Sequence, residues 1–305
     1  MNISICITVF NEEGSIGALL DSLLAQSLKA KEIVIVDGGS NDRTVEIINH
    51  YQKRFGGISL LREKCTRARG RNLSVEIAKN EIIAITDAGC VAHADWLKNI
   101  CEPLNNSEIS VSAGFYKMVG KTEVQKAMAI FLGTQPKDFD ITFLPSTRSI
   151  AFKREIWEEV GGFPEDAGNS AEDTYFNFRL LKKGVKIARV KNAVVEWGMP
   201  GTIQEFGRKI YDYAKWDAKS KIWFFPGKGL ASHNVKALFV LFRYLVGFSL
   251  LVFSFFNPAL LYLLVILLLL YFFWAFKKAG FWGIVLQIVS DFAVMSGLLS
   301  GVFGG

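Results

Sequence analysis

No charged side chain interrupts the run PALLYLLVILLLLYFFWAF, residues 258–276, and this limits the fold more than any other stretch. A helix needs ~20 apolar residues to cross a ~30 Å hydrocarbon core. Similar runs flank it, so the sequence predicts three transmembrane helices at about 237–256, 258–276 and 281–303. A buried helical hairpin is the soluble alternative. Charge is distributed to match: up to Thr202, Lys plus Arg and Asp plus Glu stand at 25 each. Residues 203–236 hold 7 bases against 3 acids, and the remainder 3 against 1, which together account for the net +6. The expected organisation is a neutral globule over 1–202, a basic connector over 203–235 and a membrane domain over 236–305.

Lys and Arg near the ends of spans mark the cytosolic side. Lys219, Lys221, Lys228 and Lys236 precede the first run, and Lys277 and Lys278 follow the second. Three spans then place the Lys-bearing sides together and the C-terminus outside. The N-terminus enters the strand-like ISICITVF without a basic region, so no secretory leader is expected and the globule is predicted to stay cytosolic on a multi-pass inner-membrane protein. Arg243 and Asp291 interrupt the first and third runs at comparable depth, and an isolated charge in lipid is costly, so the two are expected to pair. Snorkelling of Arg243 to the headgroups is the alternative. Gly297, Gly301 and Gly305 recur every four residues, a close-packing face for association within the chain or in a dimer.

Within the globule, apolar runs such as ISICITVF, EIVIVD, ISLL and EIIAITD alternate with segments of helical period, for example 15–27 and 67–79. That alternation predicts an α/β fold with a mainly parallel, Rossmann-like sheet. Ligands of such sheets bind at the carboxyl ends of the strands. Three strand ends carry an acid there: Glu12, Asp37 and Asp87. Each alone is explained as a turn or cap residue, with Ser40 or Asn41 capping the next helix. No GxGxxG follows the first strand, which argues against a nicotinamide enzyme. Cys6, Cys65, Cys90 and Cys101 show no CxxC spacing and read as free thiols.

Five ordered blocks, ITVFNEEGSIGALLDSLLAQS, EIVIVDGGSNDRT, ARGRNLSVEIAKNEIIAITDAGC, SIAFKREIWEEVGGF and AEDTYFNFRLLKKG, resemble family 2 glycosyltransferases of GT-A fold. The likeness runs from Ile3 to about Val195, two-thirds of the chain. The connector and tail are similar to members that build exopolysaccharides or lipid-linked glycans. The resemblance implies a nucleotide-diphospho-sugar donor, a lipid-linked or glycan acceptor, membrane lipids as partners and no nucleic acid. It implies that Asp37 contacts the nucleotide base, with the backbone of Thr8 to Asn11, including Phe10, and the Glu12 carboxylate nearby. Arg71 matches a position near the nucleotide, although a solvated helix residue is an equal reading.

Asp87 matches the first acid of the DxD motif that holds Mg²⁺ or Mn²⁺ against the diphosphate. Here Gly89 replaces the second acid, so a metal would lean on phosphate oxygens and water. Asp173 matches the general base that deprotonates an acceptor hydroxyl in an inverting transfer. Gly161, Gly162 and Phe163, with Glu172, are expected on the acceptor side, though a helix-terminating glycine pair explains GGF equally well. Glu172 and Asp173 diverge by ~100° on a helix and so cannot flank one bond as an acid and base pair. A base suits a hydroxyl acceptor better than a polyprenyl phosphate, which is already ionised. The rival readings are a polyprenyl-phosphate glycosyltransferase and a non-catalytic nucleotide-binding membrane scaffold.

In the connector, Ile203, Phe206, Ile210 and Tyr213 recur at helical spacing among Arg208, Lys209, Lys215 and Lys219. Such a basic amphipathic helix either lies in the headgroup plane or packs on the globule.

Overall fold

The computed structural model describes residues 1–165, 171–226 and 230–304. Asn169 and Ser170 at the head of the AED block, Lys228 in the connector and Gly305 of the glycine stripe lie outside them. The chain divides into two compact units.

The first unit comprises Met1–Met118 and Thr134–Gly198. It opens with strand β1 (Ile3–Val9), helix α1 (Ile16–Leu24), β2 (Glu32–Asp37), α2 (Thr44–Arg54), β3 (Ile58–Arg62), α3 (Arg67–Ile77) and β4 (Ile82–Ile85). β5 (Cys90–Ala92), α4 (Trp96–Cys101) and β6 (Val111–Val119) follow. α5 (Glu123–Leu132) belongs to the second unit. After it come β7 (Ile150–Lys153), α6 (Arg154–Glu159), α7 (Glu172–Lys182) and β8 (Ile187–Gly198).

The sheet has eight strands in the order β3-β2-β1-β4-β7-β6-β8-β5. The first four are parallel, and β7 joins β4 antiparallel. The α/β expectation is met, and the unbroken IVIV of β2 is buried between strands β1 and β3, with α3 packed against it. α1 shows why helices cover the sheet: Ile16, Leu19, Leu20 and Leu23 fall on one face and all are buried. The core joins Val34, Ile83 and Ile85 of the strands to Phe152, Phe163 and Phe176. All four cysteines are free, and burial pushes the Cys6, Cys90 and Cys101 thiols up to about 12.

The second unit holds α5, α8 (Ile203–Ser220), a hairpin of β9 (Phe224–Phe225) and β10 (Leu230–Ala231), α9 (His233–Phe253) and α10 (Ala259–Phe303). α9 and α10 are each long and apolar enough to cross a membrane. α10 is two helical segments, broken at Ala279 and at Gly280, whose φ of 59° favours glycine. α8 buries Phe206 and Ile210 against Met128 of α5 and Leu286 of α10. The glycine stripe is used here: a Cβ on Gly297 would lie 2.5 Å from the Tyr211 carbonyl oxygen, and one on Gly301 would strike that of Lys215. The two described glycines of the stripe thus serve packing on α8 within the chain, one of the two uses expected of that face.

The Arg243–Asp291 pair forms, with Nη2 donating to Oδ2 at 2.5 Å. Asp291 is buried and also accepts from Tyr244 Oη (3.1 Å), Tyr271 Oη (2.7 Å) and Gln287 Nε2 (2.8 Å). One carboxylate therefore ties α9 to both segments of α10.

Candidate active site

The carboxyl ends of β1, β2 and β4 bring the expected residues to one edge of the first unit, and α3 and α7 complete the site. Asp37 closes β2 and is 0 % exposed. Its carboxylate accepts from the backbone N–H of Gly39 (3.3 Å) and Ser40 (3.2 Å), and Arg62 Nε stands 3.7 Å away. Asp37 therefore builds the turn itself. Gly38 admits no easy side chain, since a Cβ would meet the Cys65 carbonyl at 3.3 Å, and Gly39 has φ +102°. These glycines make room for the chain at 64–65.

The helix-cap expectation is corrected. Ser40 Oγ accepts from the Asn11 N–H (2.8 Å) and Asn11 Oδ1 accepts from the Asn41 N–H (3.0 Å), while Asp42 Oδ1 takes the Thr44 N–H at the start of α2. Glu12 N–H adds a bond to Thr44 Oγ1 at 2.7 Å. The loops after β1 and β2 are thus laced together, with Asn11 left-handed at φ 54°. Phe10 is exposed on this edge, and the Glu12 carboxylate accepts from Ser15 Oγ. Thr8 packs instead against α3, where Gly70 leaves space for its methyl group. Gly70→Ala puts a Cβ 2.5 Å from that methyl. A helical Gly→Ala ordinarily stabilises by ~1 kcal/mol, but here overpacking should destabilise by ~1–3 kcal/mol, read as a lower thermal midpoint.

Arg71 organises the centre. It is 3 % exposed, so the solvated-helix reading is overturned. Nη1 donates to Glu172 Oε1 and Nη2 to Asp87 Oδ1 at 2.7 Å. Arg67, one turn earlier on the same helix face, stands 3.8 Å from Glu172 Oε1. Burial opposes the Arg71 charge, but Asp87, Glu172 and Asp173 outweigh it and raise its pKa. Burial likewise opposes ionisation of Asp87, but Arg71, Arg148 and Arg67 hold its carboxyl below the ordinary value. Arg71 thus bridges Asp87 and Glu172, with Arg67 beside Glu172 and the charges of Arg148 and Asp173 acting on the bridge.

Glu172 and Phe163, expected on the acceptor side, are both buried. Glu172 is 3 % exposed, and Phe163, 1 % exposed, stacks on Phe176 at 4.5 Å beneath the Arg71 guanidinium. Gly161 and Gly162, at φ +77° and +65°, form the turn after α6. Asn72 clamps that turn: its Oδ1 accepts from the Phe163 N–H (2.9 Å) and its Nδ2 donates to the Phe163 carbonyl (2.7 Å). Asp173 begins α7 beside Glu172 and is half-buried, where the helix N-terminus favours a carboxylate.

Arg148, Arg67 and Trp197 are functional candidates that the sequence reading passes over. Arg148 stacks on the Trp197 ring at 3.9 Å and donates from Nη1 to Ser146 Oγ at 3.0 Å. A Cβ on Gly89, the place of the missing second acid, would meet the Trp197 indole nitrogen at 3.6 Å. Arg67 was readable from its four-residue offset to Arg71, but Arg148 lies in a loop with no periodic signal. Among the described residues no three His, Cys, Asp or Glu side chains group to hold a metal. Asp87, its carboxyl held ionised by the arginines, is the oxygen ligand the site would offer a Mg²⁺ or Mn²⁺, the rest coming from phosphate oxygens and water.

A family model described as glycosyl transferase family 2 matches residues 4–161. The chain belongs to glycosyl transferase family 2. A second model, glycosyl transferase family group 2, matches this family 2 chain over residues 110–277. The poly(ribitol-phosphate) beta-glucosyltransferase of Bacillus spizizenii is 28% identical over 198 residues, covering 62% of this chain and 31% of that protein. Glycosyltransferase AglE of Haloferax volcanii is 24% identical over 192 residues, 61% of this chain and 63% of its own. The O-antigen chain rhamnosyltransferase RfbN of Salmonella typhimurium is 25% identical over 231 residues, 70% and 71% of the two chains. The family 2 chain thus spans less than two thirds of the first two relatives. Mannosyltransferase PcManGT from Pyrobaculum calidifontis, solved with GDP-Man and Mn2+, superposes with a TM-score of 0.69 at 19% identity, covering 99% of this chain and 87% of that one. S. aureus TarS 1-349, solved with UDP-GlcNAc, gives 0.54 at 18% identity over 71% and 66%. These likenesses establish the GT-A fold.

Proposed function

We propose that the chain is an inverting glycosyltransferase that moves a sugar from a nucleotide-diphospho-sugar to a hydroxyl of a membrane-associated acceptor, a lipid-linked sugar or growing polysaccharide. The observation that carries this reading is Asp173 at the start of α7, beside the Asp87–Arg71–Glu172 relay. The Asp173 carboxylate takes the proton of the acceptor hydroxyl as that oxygen attacks the anomeric carbon. The bond from that carbon to the β-phosphate oxygen breaks on the opposite face, which inverts the centre and releases a nucleoside diphosphate.

Negative charge grows on the leaving phosphate, and Arg71, Arg148 and Arg67 are the cations gathered nearest Asp87 to offset it. A divalent ion, held on the protein side by Asp87, would supply further neutralisation of the diphosphate. Asp37 and the laced loops of Thr8 to Glu12 would receive the nucleoside. α9 and α10 are long and apolar enough to anchor the chain in a membrane, and the setting proposed is the cytosolic face of the inner membrane, where a lipid-borne acceptor diffuses in two dimensions. Relatives named for a poly(ribitol-phosphate) and for a glucosyl-dolichyl phosphate are in keeping with such acceptors.

The test is nucleotide release by membranes carrying the full chain across a panel of sugar nucleotides, with Asp173→Asn and Asp87→Asn alongside. Release with one donor, lost in both variants, is expected. Release that is absent with every donor, or indifferent to both substitutions, removes the enzymatic reading in favour of a nucleotide-binding scaffold. Transfer to free polyprenyl phosphate in preference to lipid-linked sugars removes the hydroxyl acceptor.

A further inference from the structure

We infer that the last apolar segment, 281–303, does not cross the bilayer but lies in its cytosolic interface, paired with α8 as a platform seated among anionic lipid headgroups. The inference rests on α9 and the first segment of α10 crossing the membrane as a hairpin. It is independent of the reaction proposed above.

The levels at which the segment makes contact carry the argument. Helices rise ~1.5 Å per residue, so a spanning segment that began at Gly280 would bring Leu298 ~27 Å away, level with the far end of the hairpin. Leu298 instead packs with Ala237, four residues into α9, and Val294 packs near Leu241. At its other end, a Cβ on Gly283 would strike the carbonyl of Ala275, four residues before the break at Ala279. Both ends of the segment thus sit ~6 Å from the same ends of the two neighbouring helices. A rod whose two ends lie at one depth runs along the membrane plane. Its midpoint Asp291 is met by Arg243, Tyr244 and Tyr271, three long side chains of the hairpin, and by Gln287 of its own helix, which Lys278 Nζ also bonds at 2.7 Å.

The company of α8 points the same way. α8 follows the segment from Val289, which would meet a Cβ on Gly207 at 3.1 Å, to Gly301, which abuts Lys215 and Ala218. Along that length α8 carries Glu205, Arg208, Lys209, Asp212, Lys215, Asp217 and Lys219. Each charge at the bilayer centre costs at least ~2.5–3.5 kcal/mol, so this helix cannot accompany a span. At the interface the same residues are favourable. Lys215 and Lys219 stand over the Trp216 ring at 5.7 and 5.1 Å, and Trp223 and Phe224 are exposed on the hairpin that follows. Aromatic rings beside lysines are the composition of a headgroup belt, and the lysines select anionic phosphates. Two spans and one in-plane pair replace the expected three spans.

Sidedness of labelling decides between them. The background is the full chain in native membranes with Cys65→Ser, which leaves only the three buried thiols. Asn257→Cys reports the tip between α9 and α10, with Ser254→Cys as its second variant. Phe303→Cys reports the end of the segment, with a cysteine added after Gly305 as its second. A membrane-impermeant maleimide should label position 257 only from outside intact cells and position 303 only in inside-out vesicles. Labelling of both positions from the outside restores three spans and overturns the inference. Labelling of position 257 from the cytosolic side also overturns it, because the hairpin then does not cross. Labelling reads sidedness whatever sugar is transferred, so neither failure touches the reaction.

Discussion

Asp173→Asn is expected to lower turnover by ~10²–10⁴-fold, about 3–5 kcal/mol of barrier, with little change in the KM for donor. The substitution preserves size and the capping geometry at the start of α7 but removes the lone pair that would receive the acceptor proton. Glu172→Gln is the informative contrast. That side chain is buried and bonded to Arg71, so its loss should lower the thermal midpoint more than it slows chemistry. A full turnover rate in Asp173→Asn, measured as initial velocity at saturating donor, would remove Asp173 from the reaction.

Arg71→Met is the other large effect. It leaves Glu172 buried with only Arg67 at 3.8 Å, and Glu172 Oε2 already has no hydrogen-bond partner among the described residues. Breaking a buried ion pair from one side costs ~3–5 kcal/mol, which should lower the thermal midpoint by roughly 10 °C. Pairing it with Glu172→Gln removes the orphaned charge and should recover much of that stability. Activity should not return, because Asp87 still lacks the guanidinium that holds its carboxyl ionised and in place. Equal melting of Arg71→Met and the parent would show that the relay does not support the fold.

The parts legible in the sequence were those written by period. Alternation gave the parallel half of the sheet, and the apolar runs gave the tail and the Arg243–Asp291 pair. Residue types at strand ends located Asp37 and Asp87. What the sequence hid is tertiary. Nothing local distinguishes Arg71 as a bridge from Arg71 on a wet helix face, because its partner Glu172 is 101 residues away. The same holds for Asp37, whose carboxylate also braces its own turn through bonds to Gly39 and Ser40. The glycines at 297 and 301 announced close packing, but not that the partner is α8 from the same chain.

The break at Gly280 has a consequence of scale. As one unbroken rod, the 45 residues of α10 would measure ~68 Å, more than twice the ~30 Å hydrocarbon thickness. No tilt within the usual range brings that length inside a bilayer. Gly280 adopts φ 59° and ψ −142°, a conformation closed to side-chain-bearing residues without strain. The break at Ala279 and Gly280 therefore divides the tail into segments each no longer than a membrane is thick, and a side chain at Gly280 is expected to strain that division.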